Sequence, residues 1–261
     1  MNIKEQITQI LNRFSIGDYD YVLIKLKQLS KKNPYNSYLK NLLGSTYLKV
    51  NDIESAMINF KLSLQLDPKN VAAINNLANT YKNSNNYQEA ERLYLKALEF
   101  NPNYVSGLLN YSNLKINLNN VDEAIDLLQK AITIEPDNYM LHFSLGVAYQ
   151  SIGKFKETKK HAEKTLEINP LFSPADKLIS SYIKYTDDNQ HFIKMKKDIN
   201  NQAINDNNKV HIHFALGKAF EDIGRNDEAI DHIEKGNNLK RSLIKYDIND
   251  DINLITKIKL M

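Results

Sequence analysis

The stretch from Val71 to Pro102, VAAINNLANTYKNSNNYQEAERLYLKALEFNP, holds two helical stripes separated by a polar break. Ile74, Leu77, Ala78 and Tyr81 recur at the spacing of one helix face, and Ala90, Leu93, Tyr94 and Ala97 do so again after Asn83 to Asn86. Asn86 followed by Glu89 has the spacing of a capping box, which predicts that the second helix starts there. A residue before proline is biased away from the helical conformation, and proline has no amide hydrogen to give. The second helix therefore ends near Asn101, just before Pro102.

That closing proline sets a period: Pro34, Pro68, Pro102, Pro136 and Pro170 stand thirty-four residues apart. A repeat of this length signals stacked two-helix units. Small residues recur in register, with Gly44, Ala78, Ser112, Gly146 and Gly217 in the first helices and Ala56, Ala90, Ala124, Thr158 and Ala229 in the second. They allow the helices to cross closely. The larger neighbours Leu43, Leu77, Tyr111, Leu145 and Leu216 fill the space beside them, with Tyr47, Tyr81, Tyr149 and Phe220 one turn on. Burying each large side chain contributes roughly 1.5–3 kcal/mol.

Leu43, Gly44, Tyr47, Ala56, Phe60 and Pro68 match the W-x2-L-G-x2-Y, A-x3-F, P pattern of tetratricopeptide repeats without its Trp, and Leu77, Ala78, Tyr81, Ala90, Tyr94 and Pro102 follow the same order. The chain thus resembles a tetratricopeptide repeat protein over most of its length. The resemblance implies an all-α fold, a right-handed α-α superhelix of about seven helix-turn-helix units, the first and sixth degenerate. Residues 1–36 are a degenerate first unit, 37–172 four regular units, 173–209 a degenerate helical pair and 210–247 the last unit. Ile248, Ile252, Ile255 and Ile258 predict a C-terminal amphipathic helix over 248–261. Beside Ala162 the pattern leaves a space that bulky residues of the next segment are expected to fill.

Composition narrows the chemistry. The formal charge of +3 over 261 residues argues against a dedicated nucleic-acid or membrane surface. The absence of cysteine excludes disulfides and thiolate chemistry. The N-terminal MNIKEQITQILNRF carries charges throughout and reads as neither signal peptide nor membrane anchor, so a cytoplasmic location is expected. No glycine loop of the phosphate-cradling kind occurs. His211 and His213 stand two apart and point in different directions on a helix, while His142, His161, His191 and His232 are scattered. Lys154, Lys156, Lys159, Lys160 and Lys164 are interleaved with Glu157 and Glu163 as on a solvated face. No catalytic residue, metal or cofactor is therefore expected.

The functional signal lies on the first helices, which in such arrays line the concave surface. Their outward stripe reads Ala72, Asn76, Asn79, Asn83 in one unit and Ser106, Asn110, Asn113, Asn117 in the next. An amide side chain both donates and accepts, which suits capture of a peptide backbone regardless of its sequence. The six asparagines resemble the asparagine ladder in the repeats of O-linked N-acetylglucosamine transferases. Tyr38 and Lys49 on one side and Ser144 on the other extend the groove. Asparagine is also abundant throughout the chain, so a plain solvated face is the alternative.

The segment FALGKAFEDIGRNDEAIDHIEKGNNLKRSLIKYD, Phe214 to Asp247, resembles the last repeat of bacterial proteins in which tetratricopeptide repeats precede a sulfotransferase domain. That family's nucleotide-binding loop is not found before Met261. Two functions are therefore expected: a non-catalytic scaffold that holds a protein or extended peptide in its groove, or the substrate-recruiting half of a sulfotransferase-type enzyme, with 248–261 docking on the catalytic domain.

Overall fold

The computed structural model describes residues 2–244. The stripe Ile248, Ile252, Ile255 and Ile258 lies outside the described residues. Fourteen helices follow one another: α1 (Ile3–Ser15), α2 (Tyr19–Lys32), α3 (Ser37–Lys49), α4 (Ile53–Leu66), α5 (Val71–Asn83), α6 (Tyr87–Phe100), α7 (Val105–Asn117), α8 (Val121–Ile134), α9 (Tyr139–Ser151), α10 (Phe155–Ile168), α11 (Pro174–Ser180), α12 (Gln190–Asp198), α13 (Asp206–Asp222) and α14 (Asn226–Leu243). Taken two by two they make seven successive pairs, and no strand occurs among the described residues.

Asparagine sets many of the helix ends. Asn36, Asn70 and Asn138 stand at the same point of the repeat, and each side chain accepts a hydrogen bond from the first turn of the helix it precedes. Asn86 caps α6 through the Glu89 amide at 3.3 Å. The predicted box is only half made there. The Glu89 carboxylate holds Arg92 at 2.8 Å instead, and the Asn86 amide donates to the Tyr81 carbonyl at 2.9 Å. Both halves of a box are present at Asn2 and Glu5. Six of the seven turns within the helix pairs hold a left-handed residue, in chain order Gly17, Asn51, Asn85, Asn119, Gly153 and Gly224, with φ from 58° to 82°, and the connection from α11 to α12 holds none. Asparagine visits that region more readily than other side-chain-bearing residues.

The helices fall into two compact units, α1–α8 up to Pro136 and α9–α14 from Asp137 onward. Each is a stack of helix pairs of the α-α superhelix kind. In the first unit α2 packs on α3, α4 on α5 and α6 on α7; the first helices also meet directly, α3 with α5 and α5 with α7. Phe60, Ile74, Leu77, Tyr94, Tyr111 and Leu114 share one core there, and Ile10, Val22, Leu26 and Leu39 form another toward the N-terminus. The crossing of α3 and α4 leaves no room for a side chain at Gly44, where an added Cβ would lie 2.6 Å from the Phe60 ring.

In the second unit α9 pairs with α10 and α13 with α14, while α11 rests on α10 and α13, and α12 on α13. The seven-residue α11 opens on Pro174 and ends at Ser180, too short to present a full turn to each neighbour. Leu178 and Ile179 lean against Ala162, with Phe143, Val147 and Tyr182 beside them. The space expected next to Ala162 is thus filled from the following segment. Asn205 caps α13, so that helix begins at Asp206, inside the segment that had lost the repeat motif.

The left-handed turns make a test of this architecture. Asn85→Val should cost about 1–2 kcal/mol because a β-branched residue at positive φ meets its own backbone. Asn85→Gly should leave stability within a few tenths of a kcal/mol or raise it. Urea unfolding of the two variants measures both.

Candidate functional site

The first unit carries the predicted stripe on α3, α5 and α7. Asn76, Asn79, Asn110 and Asn113 are half-buried; Asn83 and Asn117, at the helix ends, are exposed. Tyr38 is 46 % exposed at the start of α3, and Lys49 is exposed at its end. Ser144 lies on α9 in the second unit and is 6 % exposed.

The asparagines do not simply stack. The Asn76 amide nitrogen donates to Asn41 Oδ1 at 3.0 Å and to Ser45 Oγ at 3.3 Å, tying α5 to α3. One repeat later the Asn110 amide nitrogen donates to Asn75 Oδ1 at 3.1 Å, tying α7 to α5. Asn41 and Asn75, at 8 % and 4 % exposure, are buried partners that the stripe did not include. With the amide nitrogens turned inward, the carbonyl oxygens of Asn76 and Asn110 keep their acceptor capacity. Asn79 is oriented the other way, because the hydroxyl of the buried Tyr94 on α6 donates to its Oδ1 at 2.5 Å and leaves its amide hydrogens uncommitted. In the next repeat the place of Tyr94 is taken by the buried Leu128, and Asn113 lacks that tether. Residues three apart share a helix face, so α5 presents an acceptor at Asn76 beside a donor at Asn79, and α7 presents Asn110 beside Asn113.

Behind the strip sits a charged cluster. Lys115 replaces the aromatic of its column and its side chain is 7 % exposed, held by Glu91 Oε1 at 2.6 Å and Glu123 Oε2 at 2.7 Å. The Tyr111 hydroxyl donates to the same Glu91 oxygen at 2.8 Å. Burial works to lower the Lys115 ammonium, but its hydrogen bonds with Glu123, Glu91 and Tyr111, the carboxylates accepting, outweigh it and hold the pKa above the usual lysine range. The Lys115 and Tyr111 bonds hold Glu91 below the usual carboxylate range. A permanently charged ammonium is no nucleophile; it fastens α6, α7 and α8 together. Its signal in the sequence was the break at residue 115 in the column of Tyr47, Tyr81 and Tyr149.

The second unit holds an Asp-His-Tyr chain. Asp176, 1 % exposed, contacts His191 Nε2 at 2.9 Å, and His191 Nδ1 meets the Tyr185 hydroxyl at 2.8 Å. The order is that of a proton relay, but Tyr185 is 2 % exposed, and burial, then Asp176 and Asp222, push its phenol above the usual range. A hydroxyl so placed cannot reach a substrate. The chain braces α11 and α12 beneath α13, where the Tyr185 amide donates to Asp222 at 2.9 Å. The fold also gathers histidines that looked scattered in the sequence: His142 meets His161, and His213 meets His232. Burial, followed by the neighbouring histidine, lowers His161 and His213 to about 4. Among the described residues no group of three or more His, Cys, Asp or Glu is arranged to hold a metal, and no helix is long and apolar enough to cross a membrane.

Tetratricopeptide repeat profiles match residues 38–70, 71–104, 93–126 and 210–242, and a TPR repeat profile matches 113–153, so more than half of the 261-residue chain is covered. No curated protein is matched. Among solved structures, a thermophilic TPR protein of Thermus thermophilus, TTC0263, is 21 % identical, with 69 % of this chain and 97 % of that one aligned at a TM-score of 0.61. A tetratricopeptide repeat protein of Parabacteroides merdae is 17 % identical over 99 % of this chain and 98 % of its own, at a TM-score of 0.60. YrrB, described as a TPR protein with an unusual peptide-binding site, is 16 % identical over 79 % of this chain and 96 % of its own, at 0.51.

The charged cluster yields a pH-dependent test. Lys115→Ala should cost roughly 1–3 kcal/mol at pH 7, less than a fully buried pair, because Glu91 and Glu123 can regain water. Glu91 has its pKa lowered by folding from the ordinary 4.5, so this stabilisation is present above that value and lost as pH falls through the lower folded pKa. The gap between wild type and variant in chemical unfolding should therefore shrink as the pH is taken from 7 to 3.

Proposed function

The chain belongs to the tetratricopeptide repeat family, and from that premise we propose that it is a non-catalytic scaffold that captures an extended segment of another protein along the strip of Asn76, Asn79, Asn110 and Asn113. The observation that carries this reading is the paired orientation of the amides. A peptide group offers one N–H and one C=O. Asn76 presents an acceptor and Asn79, one turn on, a donor, and the same two residue types recur on the next first helix. A ligand backbone laid across the strip meets an acceptor and a donor on α5 and, on α7, an acceptor at Asn110 beside the untethered amide of Asn113, without any demand on its side chains. Tyr38 and Lys49 add an aromatic surface and a cation at the two ends of α3, and Asn83 and Asn117 add polar contacts at the ends of α5 and α7.

The stitches to Asn41 and Asn75 matter to this reading because they hold two of the four amides before any ligand arrives. An immobilised side chain saves about 0.5–1.5 kcal/mol of ordering cost on binding. A described peptide-binding site in YrrB is in keeping with a fold of this kind serving peptide capture. A recruiting arm for a sulfotransferase-type enzyme is supported by the likeness of 214–247 alone, and its docking segment, 248–261, lies outside the described residues. A cytoplasmic location accompanies the scaffold reading.

A displayed peptide library selected on the full chain provides the test. Changing Asn76, Asn79, Asn110 and Asn113 to Ala should weaken selected peptides at least about tenfold, each lost hydrogen bond being worth roughly 1 kcal/mol. Asn41→Ala, which loosens Asn76 without touching the strip, should weaken them less. Equal binding by all variants would sink the reading.

A further inference from the structure

Two histidine pairs occur at one and the same place in the repeat. In the fifth unit His142 on α9 faces His161 on α10, Nδ1 to Nδ1 at 3.1 Å, with the rings stacked at a centroid distance of 5.4 Å. In the seventh His213 on α13 faces His232 on α14, again Nδ1 to Nδ1, at 3.0 Å. Both pairs span nineteen residues, and both members of the second lie seventy-one residues beyond those of the first. Two of the regular units place Ile74 with Leu93, and Leu108 with Leu127, at these positions, where the unit before them has Lys40 and Asn59, and Ile74 and Leu93 belong to one apolar core. Packing therefore has an apolar solution here that the fifth and seventh units replace with a pair of imidazoles.

We propose that each pair is a two-nitrogen binding site for a late first-row divalent cation of the zinc type, clamping the first helix of the unit to the second. Imidazole nitrogen suits such ions, and a neutral ring can coordinate through Nδ1. Zinc–nitrogen bonds of 2.0–2.1 Å at a tetrahedral angle set their nitrogens about 3.4 Å apart, so the observed separations need open only a few tenths of an ångström. The proton that now lies between the two Nδ1 atoms moves to Nε2 of its own ring, and both Nδ1 lone pairs face the ion. A neutral pair thus loads without net proton release. Among the described residues no third His, Cys, Asp or Glu joins either pair in a metal-holding group, so water is expected at the remaining positions. The bound ion joins α9 to α10 or α13 to α14, pairs already in contact.

Titration calorimetry of the full chain with zinc chloride at pH 7.5 tests the proposal. Wild type should take up two equivalents. His161→Leu and His232→Leu should each take up one, and the double variant none. Leucine already occupies this position at Leu93 and Leu127, so the variants are expected to fold, and circular dichroism checks that they do. Long-range proton–nitrogen spectra should show zinc shifting Nδ1 of His142, His161, His213 and His232. A folded wild type that takes up no zinc overturns the proposal. So does uptake that survives in the double variant, or zinc shifts confined to Nε2 or to His191 and His211.

Discussion

A helix of thirteen or fourteen residues paired with one other can bury only part of its apolar face, and that shortfall governs this molecule. Phe60 and Tyr94 are fully buried only because α4 packs on α5 and α6 on α7, so that each pair completes the core of its neighbour. Everything local serves that stacking. Small residues such as Gly44 and Ala78 let helices cross closely, and a left-handed residue in six of the turns brings the second helix back along the first. The surplus of stability over chain entropy in such an array is shared among neighbours rather than held in one centre. Where a pair is incomplete, as at α11 and α12, the gap is closed by polar bonds: Asp176 to His191, His191 to Tyr185, and Lys194 to Asp176.

Much of this was legible in the residues. The thirty-four-residue spacing of the prolines, the apolar stripes and the small columns are local patterns, and the helices lie where those patterns put them. The sixth pair was less legible because its helices pack on α10 and α13, contacts that depend on where those elements sit rather than on any periodicity within 173–209. Glu89 shows a smaller failure of the same kind: its spacing from Asn86 fitted a capping box, but Arg92, one turn on, offered the carboxylate a charged partner.

The candidate strip was half legible. Its stripe is a property of one helix face, and Asn76, Asn79, Asn110 and Asn113 could be found by counting. Their orientation could not. It is set by Asn41, Asn75 and Tyr94, which lie on other helices and meet the stripe only when successive units dock. The histidine pairs escaped for the same reason, since nineteen residues separate partners that the hairpin folds face to face. Asparagine itself proved to have several structural duties: caps at Asn36, Asn70 and Asn138, turns at Asn51, Asn85 and Asn119, and the ties between first helices. Its abundance is part of how the fold is made.

The tie between first helices also bears on how such a chain lengthens over generations. Asn76 reaches back thirty-five residues to Asn41, and Asn110 reaches back thirty-five to Asn75. Donor and acceptor are adjacent in α5, as Asn76 and Asn75, so that unit carries both halves of the bond, one for the unit before it and one for the unit after, while α3 supplies only the acceptor Asn41 and α7 only the donor Asn110. An in-frame genetic duplication of thirty-four residues around α5 and α6 would copy both halves together, and the new unit would arrive already able to join its neighbours on either side.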